Sequence, residues 1–379
     1  MKKKLKIAMF FSSDPSQAGG VQEHIFFLSE KLRDLGHQIT IFGPEKNILP
    51  YKNYQPISKI LQLPVPNGNW ANITIESKNN KKLIEKINRQ QYDIIHIHEP
   101  YIPFVNWEII KKTQSEKIAT FHSAWDNDSL VNFINPFIAL FQDTFSTSFA
   151  GAIFVSKIVK KRWQDLCSKK VIQKVIYHGV DKSFFPINKK DNNLVDLLYV
   201  GRIVNRKGLK YLLKAMKKIK KDRPKIKLTI LGEGPMKKSL KEYVVNNKLK
   251  KIVSFKGEII GKEKIKYYQN ADVFCAPYRD EAFGLTIIEA MACGLPIVAF
   301  KNSAFKEILK DYPYPELLVK PRNVNKLTQA LKKIIKDKDM RQKISSWLLK
   351  ESKKYNWEKT AKETEEFYYK VLDKNEKHS

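Results

Sequence analysis

The chain has few cysteines, few arginines, little acid and no long apolar run. Its three cysteines, Cys167, Cys275 and Cys293, fall at no metal-ligand spacing. They are too few for a disulfide framework, so a reducing, cytoplasmic setting is expected. No uncharged apolar stretch reaches the roughly 18 residues of a membrane span. The most apolar region, residues 133–155, is interrupted by Asn135, Pro136, Gln142 and Asp143. The basic start MKKKLKIAMFF resembles the head of a signal peptide, but its apolar run is short and breaks at once into SSDPSQAGG, with no cleavage signature. It is read as the first buried strand of a sheet.

The shortage of acid leaves 39 Asp and Glu against 70 Lys and Arg, a formal net charge of +31; nine of the basic residues are Arg and 61 are Lys. Two readings stay open. One is a Lys- and Asn-rich composition that decorates solvated faces. The other is attraction to an anionic surface. A nucleic-acid partner is not expected, because no nucleic-acid motif occurs and the lysines are spread through helical segments.

What is present is a repeated alternation of short apolar runs and amphipathic helices, the pattern of parallel sheets covered by helices. Strands are expected near 4–11, 38–42, 94–98, 118–121, 152–155 and 174–176, then near 196–200, 227–231, 253–256, 273–276, 297–299 and 317–319. Helices are expected near 21–35 and 79–90, then near 208–221, 235–246, 262–270 and 286–293, with a closing helix over 357–372. The length suits two domains. The break falls in 181–193, DKSFFPINKKDNN, which is polar, contains proline and is weakly patterned.

The richest stretch is APYRDEAFGLTIIEAMACGLP, residues 276–296. Glu281 lies in a loop, and Glu289 is expected about two turns inside a helix that Gly294 and Pro296 close. A carboxylate among apolar neighbours needs hydrogen-bond donors to offset its burial, and sugar or ribose hydroxyls are such donors. Upstream, VGRIVNRKG places Arg202 and Lys207 just beyond a strand, where open α/β sheets bind ligands. Such cations suit a diphosphate, although Lys207 taken alone reads first as solvated surface in so basic a chain, and Arg202 is the better placed. Gly19 and Gly20 lead into a helix whose N-terminus favours an anion, or form a plain tight turn. There is no G-x-G-x-x-G fingerprint and no Walker lysine, which argues against a nicotinamide enzyme. LGEGP at 231–235 reads as a turn, and 254–259 as a turn that could line a base pocket.

His96 and His98 share one face of a strand that ends at Glu99, with no third metal ligand at a useful spacing in sequence. His122 ends another strand. Asp126 and Asp128, in WDNDS, form a weak Asp-x-Asp pattern.

Taken together and in order, GGVQEH, GHQITIFGP, YDIIHIHEP, ATFH, HGVD, VGRIVNRKG, LGEGP, the 271–299 segment and Trp357 resemble the retaining glycosyltransferases of family 4 over nearly the whole chain. Within them, GGVQ, HIHEP followed by ATFH, and AFKEIL look most similar to bacterial phosphatidylinositol mannosyltransferases. The resemblance implies the α/β GT-B fold: two Rossmann-like domains facing a deep cleft and a last helix crossing back. The acceptor domain would span 1–185, the nucleotide-sugar domain 194–355, and the closing helix with a charged tail 356–379.

By the same resemblance, Gly20 lies beside the donor diphosphate and Arg202 and Lys207 bind it. Glu281 contacts the donor sugar, near the backbone of Phe283, Gly284 and Leu285, and Glu289 holds the ribose. His122, Gln22 and Tyr101 face the acceptor. Arg202, Lys207, Glu281 and His122 would be the catalytic set. No metal and no cofactor beyond the nucleotide diphosphosugar, GDP- or UDP-linked, is implied. The expected activity is hexosyl transfer to a lipid or glycan acceptor at the inner membrane face. A basic helix with Lys78, Lys81, Lys82 and Lys86 would meet the anionic surface, or simply be a solvated face.

Three departures stand out. Tyr101 replaces the asparagine that follows His-Glu-Pro in the lipid-inositol enzymes. His178 replaces the asparagine of the family's Asn-Gly-Val-Asp. Residues 302–307, NSAFKE, replace a Gly-Gly. Alternatives are a capsule or lipopolysaccharide transferase, a non-catalytic sugar-nucleotide-binding protein and a sugar-nucleotide epimerase.

Overall fold

The computed structural model describes residues 3–15, 19–45, 53–64, 70–75, 80–102, 105–124, 145, 148–188, 194–222 and 225–376. The chain divides into two compact units, Met1–Gly179 with Trp357–Ser379, and Val180–Asn356. The sequence pattern had set the break later, after 185. Val180 donates its N–H to the Tyr355 carbonyl at 3.2 Å and pairs with Asn356, so the second unit begins there.

Unit 1 runs β1 (Lys6–Phe10), α1 (Gly20–Asp34), β2 (Gln38–Pro44), β3 (Tyr54–Pro64), β4 (Trp70–Ile75), α2 (Asn80–Arg89), β5 (Ile94–His98), α3 (Val105–Lys112), β6 (Glu116–Phe121), β7 (Gly151–Phe154), α4 (Lys157–Trp163) and β8 (Ile172–Val175). Its sheet order is β4-β3-β2-β1-β5-β6-β7-β8. All pairings are parallel except β3 with β4. The central strands are buried and mostly apolar because helices cover the sheet, with His96 and His98 of β5 as polar exceptions. The β3–β4 ribbon has no counterpart in the sequence expectations. Pro56 breaks the strand pattern there, as proline does on marginal strands.

Unit 2 runs β9 (Val195–Val200), α5 (Leu209–Ile219), β10 (Ile226–Leu231), α6 (Lys237–Asn246), β11 (Val253–Gly257), α7 (Gly261–Asn270), β12 (Val273–Ala276), α8 (Leu285–Ala292), β13 (Ile297–Phe300), α9 (Ser303–Ile308), β14 (Leu318–Val319), α10 (Val324–Lys336) and α11 (Lys338–Ser352). Its sheet is all parallel, in the order β11-β10-β9-β12-β13-β14. In α5 the buried residues Leu209, Leu212, Leu213, Met216 and Ile219 repeat at helical spacing, and lysines occupy the other side.

The final helix, α12 (Trp357–Glu376), belongs to unit 1. Trp357, Ala361, Phe367, Tyr368 and Val371 join Ile25, Leu28 and Leu32 of α1 in one core. Each large side chain buried this way stabilises by about 1.5–3 kcal/mol. Gly151 makes the docking possible, because a Cβ there would meet Phe367 at 2.8 Å and Val371 at 2.9 Å. Among the described residues no helix is long and apolar enough to cross a membrane.

Candidate functional site

Each unit gathers polar residues at the carboxyl ends of its parallel strands. The two centres differ in chemistry.

In unit 2, β9 ends at Val200 and the chain passes through Gly201, Arg202 and a 3-10 turn, Asn205–Lys207. Gly208 closes the turn at φ +65°, where an added Cβ would lie 1.9 Å from the Pro277 carbonyl oxygen. Only glycine lets these two loops touch, and the Arg279 N–H ties them further by donating to the Arg206 carbonyl at 2.8 Å. The contact brings Lys207 to Glu281: the ammonium donates to the carboxylate from 74 residues away in sequence. The Lys207 Nζ also lies 4.1 Å from the centroid of the Tyr278 ring, a cation–π contact.

Two tyrosines frame this pair. Tyr199 and Tyr278 meet edge to face at 5.8 Å. The Tyr199 hydroxyl donates to the carbonyls of Arg202 (3.3 Å) and Lys207 (3.4 Å). The Tyr278 hydroxyl donates to the Val200 carbonyl. Asn302 accepts from the Phe305 N–H at 2.9 Å as the cap of α9, and its amide donates to the Tyr278 carbonyl at 3.1 Å.

Burial pushes the Glu281 carboxyl up, but Lys207, Arg206 and the Ala282 N–H outweigh it and hold the group below its usual range. Lys207 also titrates lower than usual, through burial and the neighbouring Arg206 and Arg202. Burial is the larger cause for Lys207, and the neighbouring cations act on both groups, favouring the ionised carboxylate and disfavouring a further ammonium. Arg202 is exposed and forms no ion pair among the described residues.

Glu289 sits on the fifth residue of α8, so it lies about one turn inside the helix rather than two. It is 4% exposed and accepts from Lys264 of α7 at 2.5 Å. Tyr268 stands beside it, its hydroxyl held protonated by burial and by the Glu289 charge. The two glutamates of the 276–296 stretch thus each have their own lysine. Phe283 is buried against Tyr355, and Gly284 is the N-cap of α8, directly before Leu285.

In unit 1 the centre is made of histidines. His96 is fully satisfied, with Nδ1 against the Tyr368 hydroxyl at 2.7 Å and Nε2 against Thr120 Oγ1 at 2.6 Å. This binds β5 to α12 and gives His96 a structural role. His98 stacks on His96 at 4.3 Å, and its Nδ1 meets His122 Nε2 at 2.9 Å. His24 of α1 and His178, just past β8, bring their Nδ1 atoms to 2.8 Å. Burial keeps all five rings neutral: His24 and His96 are pushed down to about 3, and His98, His122 and His178 well below the usual range. Glu99 is the counterpart, with burial raising its carboxyl to about 8. Its backbone is left-handed at φ +55°, Oε1 accepts from Ser123 at 2.9 Å, and Oε2 is buried with no hydrogen-bond partner among the described residues.

The remaining residues singled out in the sequence fall as follows. Gly20 is the exposed first residue of α1. Gln22 donates to the Asp14 carbonyl at 2.7 Å. Tyr101 is 6% exposed, its ring stacked on Trp163 at 4.7 Å, inside the core. Lys81, Lys82 and Lys86 are exposed on α2. Lys78, Asp126 and Asp128 lie outside the described residues. Sequence reasoning did not single out His24, Lys264, Tyr199, Tyr278 or the role of His178, and it weighed Glu99 only beside His96 and His98. Local sequence carried no signal for Lys264, whose partner lies on another helix.

Residues 18–184 match the family described as Glycosyltransferase Family 4, and residues 180–347 the one described as Glycosyl transferases group 1. The chain is 28% identical over 351 residues to the phosphatidyl-myo-inositol mannosyltransferase of Mycolicibacterium smegmatis, covering 89% of this chain and 87% of that protein. It is 26% identical to the alpha-monoglucosyldiacylglycerol synthase of Streptococcus pneumoniae, covering 98% and 87%. Among solved structures, Anabaena HepE in complex with UDP and glucose superposes with a TM-score of 0.77 at 17% identity, covering 97% of this chain and 100% of that one. The fold is α/β, of the GT-B type with two Rossmann-like domains.

Proposed function

The chain belongs to the family-4 glycosyltransferases, and from that premise we propose that it moves a hexose of the mannose or glucose type from a nucleotide diphosphosugar to a hydroxyl of a lipid or glycan acceptor, with retention at the anomeric carbon. The observation that carries this reading is the cluster of Arg202, Arg206 and Lys207 around Glu281 at the end of β9. Departure of a nucleoside diphosphate leaves negative charge on its terminal phosphate. Cations fixed in advance stabilise that charge in the transition state more than in the ground state. Lys207 is fixed by Glu281 below and Tyr278 beside it, while exposed Arg202 is available to the phosphates.

In this reading Glu281 orients the donor sugar, with the backbone N–H groups of Phe283, Gly284 and Leu285, and Gly20 approaches the diphosphate. Glu289 holds the ribose hydroxyls. His122 and Gln22 serve the acceptor, whereas Tyr101, packed in the core against Trp163, acts at most by shaping the ground beneath it. A neutral His122 suits a hydrogen bond to a hydroxyl rather than a charge contact. The transfer step uses no resident metal. Relatives named for mannosyl and glucosyl transfer to lipids support a lipid acceptor. The protein would then act at the cytoplasmic membrane face, with Lys81, Lys82 and Lys86 toward anionic headgroups.

The test is incubation with GDP-mannose, UDP-glucose and UDP-N-acetylglucosamine, each with membrane lipids, reading both transfer and donor hydrolysis. Turnover with one donor, unaffected by EDTA and giving an α-linked product by NMR from an α-linked donor, is the expected result. No transfer and no hydrolysis by folded protein would sink the proposal. A second reading, a saccharide acceptor in capsule or lipopolysaccharide assembly, is favoured by Tyr101, which stands where the inositol-lipid enzymes carry asparagine. Rates indifferent to anionic liposomes would select it. Donor binding without turnover on any acceptor would instead mark a non-catalytic sugar-nucleotide-binding protein.

A further inference from the structure

We propose that His24, His122 and His178 form a binding site for a divalent transition-metal ion of the zinc class, within unit 1. One ring nitrogen from each of the three residues lies within 4.8 Å of the other two, and all three side chains are buried. They converge from three elements: α1, the end of β6 and the segment after β8. Their ring centroids are 4.7 Å apart for His24 and His122, 4.6 Å for His24 and His178, and 5.5 Å for His122 and His178.

The hydrogen bonding suits ligation. His122 Nδ1 is buried without a hydrogen-bond partner among the described residues, while its Nε2 meets His98 Nδ1 at 2.9 Å. Donation from Nε2–H to His98 leaves the Nδ1 lone pair free and fixes the ring, the arrangement usual behind metal-bound histidines. His98 is in turn stacked on His96, which Thr120 and Tyr368 clamp. His24 and His178 direct their Nδ1 atoms at each other at 2.8 Å, so one shared proton separates two lone pairs. A metal ion replaces that proton, which moves to the Nε2 of the ring that carried it. With bonds of about 2.0–2.1 Å the two nitrogens need to part by only a few tenths of an ångström.

Imidazole nitrogen suits Zn²⁺, Cu²⁺, Co²⁺ and Ni²⁺ and disfavours Mg²⁺ and Ca²⁺, which take oxygen. Three protein ligands leave a fourth position open. His178 stands where the family pattern named above has asparagine. A consequence rests on the proposed function: an ion at His122 withdraws that ring from the acceptor, so metal inhibits transfer.

The experiment titrates chelator-stripped protein with Zn²⁺ in competition with a chromophoric chelator, and with Co²⁺ and Cu²⁺ as spectroscopic probes. Expected are one equivalent bound, the intense visible band of low-coordinate Co²⁺, and Cu²⁺ EPR couplings from at least two imidazole nitrogens. His24→Gln and His178→Gln should each bind at least tenfold more weakly. His37→Gln, outside the cluster, should bind as the wild type does. Wild type that binds no more tightly than a variant carrying both His24→Gln and His178→Gln, or an octahedral Co²⁺ spectrum, overturns the site. If the variants fail to fold, wild-type EPR showing fewer than two coordinated imidazoles does the same. Zn²⁺ should slow transfer, with EDTA restoring it. Metal binding by a protein that transfers no sugar would uphold the site and bring down the proposed function, whereas transfer without metal binding would do the reverse.

Discussion

The two units bury their polar centres by opposite means. Unit 1 strips charge away: five histidines, His24, His96, His98, His122 and His178, are neutral, and Glu99 tends to keep its proton. Unit 2 keeps charge and pairs it, Lys207 with Glu281 and Lys264 with Glu289. Desolvation drives the first case, because no opposite charge is near enough to offset it. In the second, an ion pair with additional hydrogen bonds restores what water supplied. A neutral centre suits contact with uncharged hydroxyls. A charged one suits phosphates. The contrast is in line with the acceptor and donor roles proposed above for the two units.

The largest expected test of this contrast is acid. A buried neutral histidine titrates near 6.5 when unfolded and far lower when folded, so the unfolded state binds more protons below about 6.5. Its stabilising effect is present above that pH and is lost as pH falls toward 3. Each such histidine costs about 1.4 kcal/mol per pH unit in that window. Glu99 works the other way between 4.5 and about 8 and cancels one of the five there. Unit 1 should therefore melt first between pH 6 and 5, read by hydrogen exchange resolved along the chain. Loss of unit 2 first would break the contrast.

Next in size is Lys207→Ala, which should lower kcat on the order of 10²–10³. Donor affinity, measured by calorimetry, should change less. Glu281→Ala should likewise harm turnover more than nucleotide binding, and should also destabilise unit 2 by about 3–5 kcal/mol by stranding Lys207. Equal losses in kcat and affinity would remove Lys207 from the transition state. Glu289→Gln should weaken nucleotide binding roughly tenfold, the value of about one charged hydrogen bond, while kcat at saturation holds; the reverse pattern would reassign Glu289 to the sugar. Smallest is Glu99→Gln. It keeps an acceptor for Ser123 and removes a group that resists ionisation, so relative to wild type the melting temperature should change little at about pH 4, rise progressively between pH 4.5 and about 8, and level off above that. No gain at high pH would mean that Glu99 ionises freely.

The two parallel sheets were legible because their strands are short apolar runs bounded by glycine-containing turns, as at Val200–Gly201 and Leu231–Gly232. The β3–β4 ribbon was not, because Pro56 and Lys59 disrupt a pattern that only cross-strand pairing sustains. At the site, Arg202 and Lys207 stood out by their position just past a strand end, and Glu281 and Glu289 as carboxylates in a loop and within an apolar helical pattern. Their partners did not. Lys264 reaches Glu289 across helices, and His24 meets His178 over 154 residues of sequence. Tyr278 lay in the richest stretch and still went unnoticed. Its task depends on the Val200 carbonyl and the Lys207 ammonium, both brought to it by folding.

The return of α12 to unit 1 has a consequence for synthesis. The chain leaves unit 1 at Gly179 and rejoins it only at Trp357. All of unit 2 is therefore translated before the last piece of unit 1 exists. Domains made on the ribosome generally complete in order from the N-terminus; here the earlier-begun unit must finish last. Until Phe367, Tyr368 and Val371 emerge, the core that Ile25, Leu28 and Leu32 of α1 share with the sheet lacks the part that α12 supplies. A nascent chain stalled just before α12 should hold a protease-resistant unit 2 beside an open, chaperone-binding unit 1.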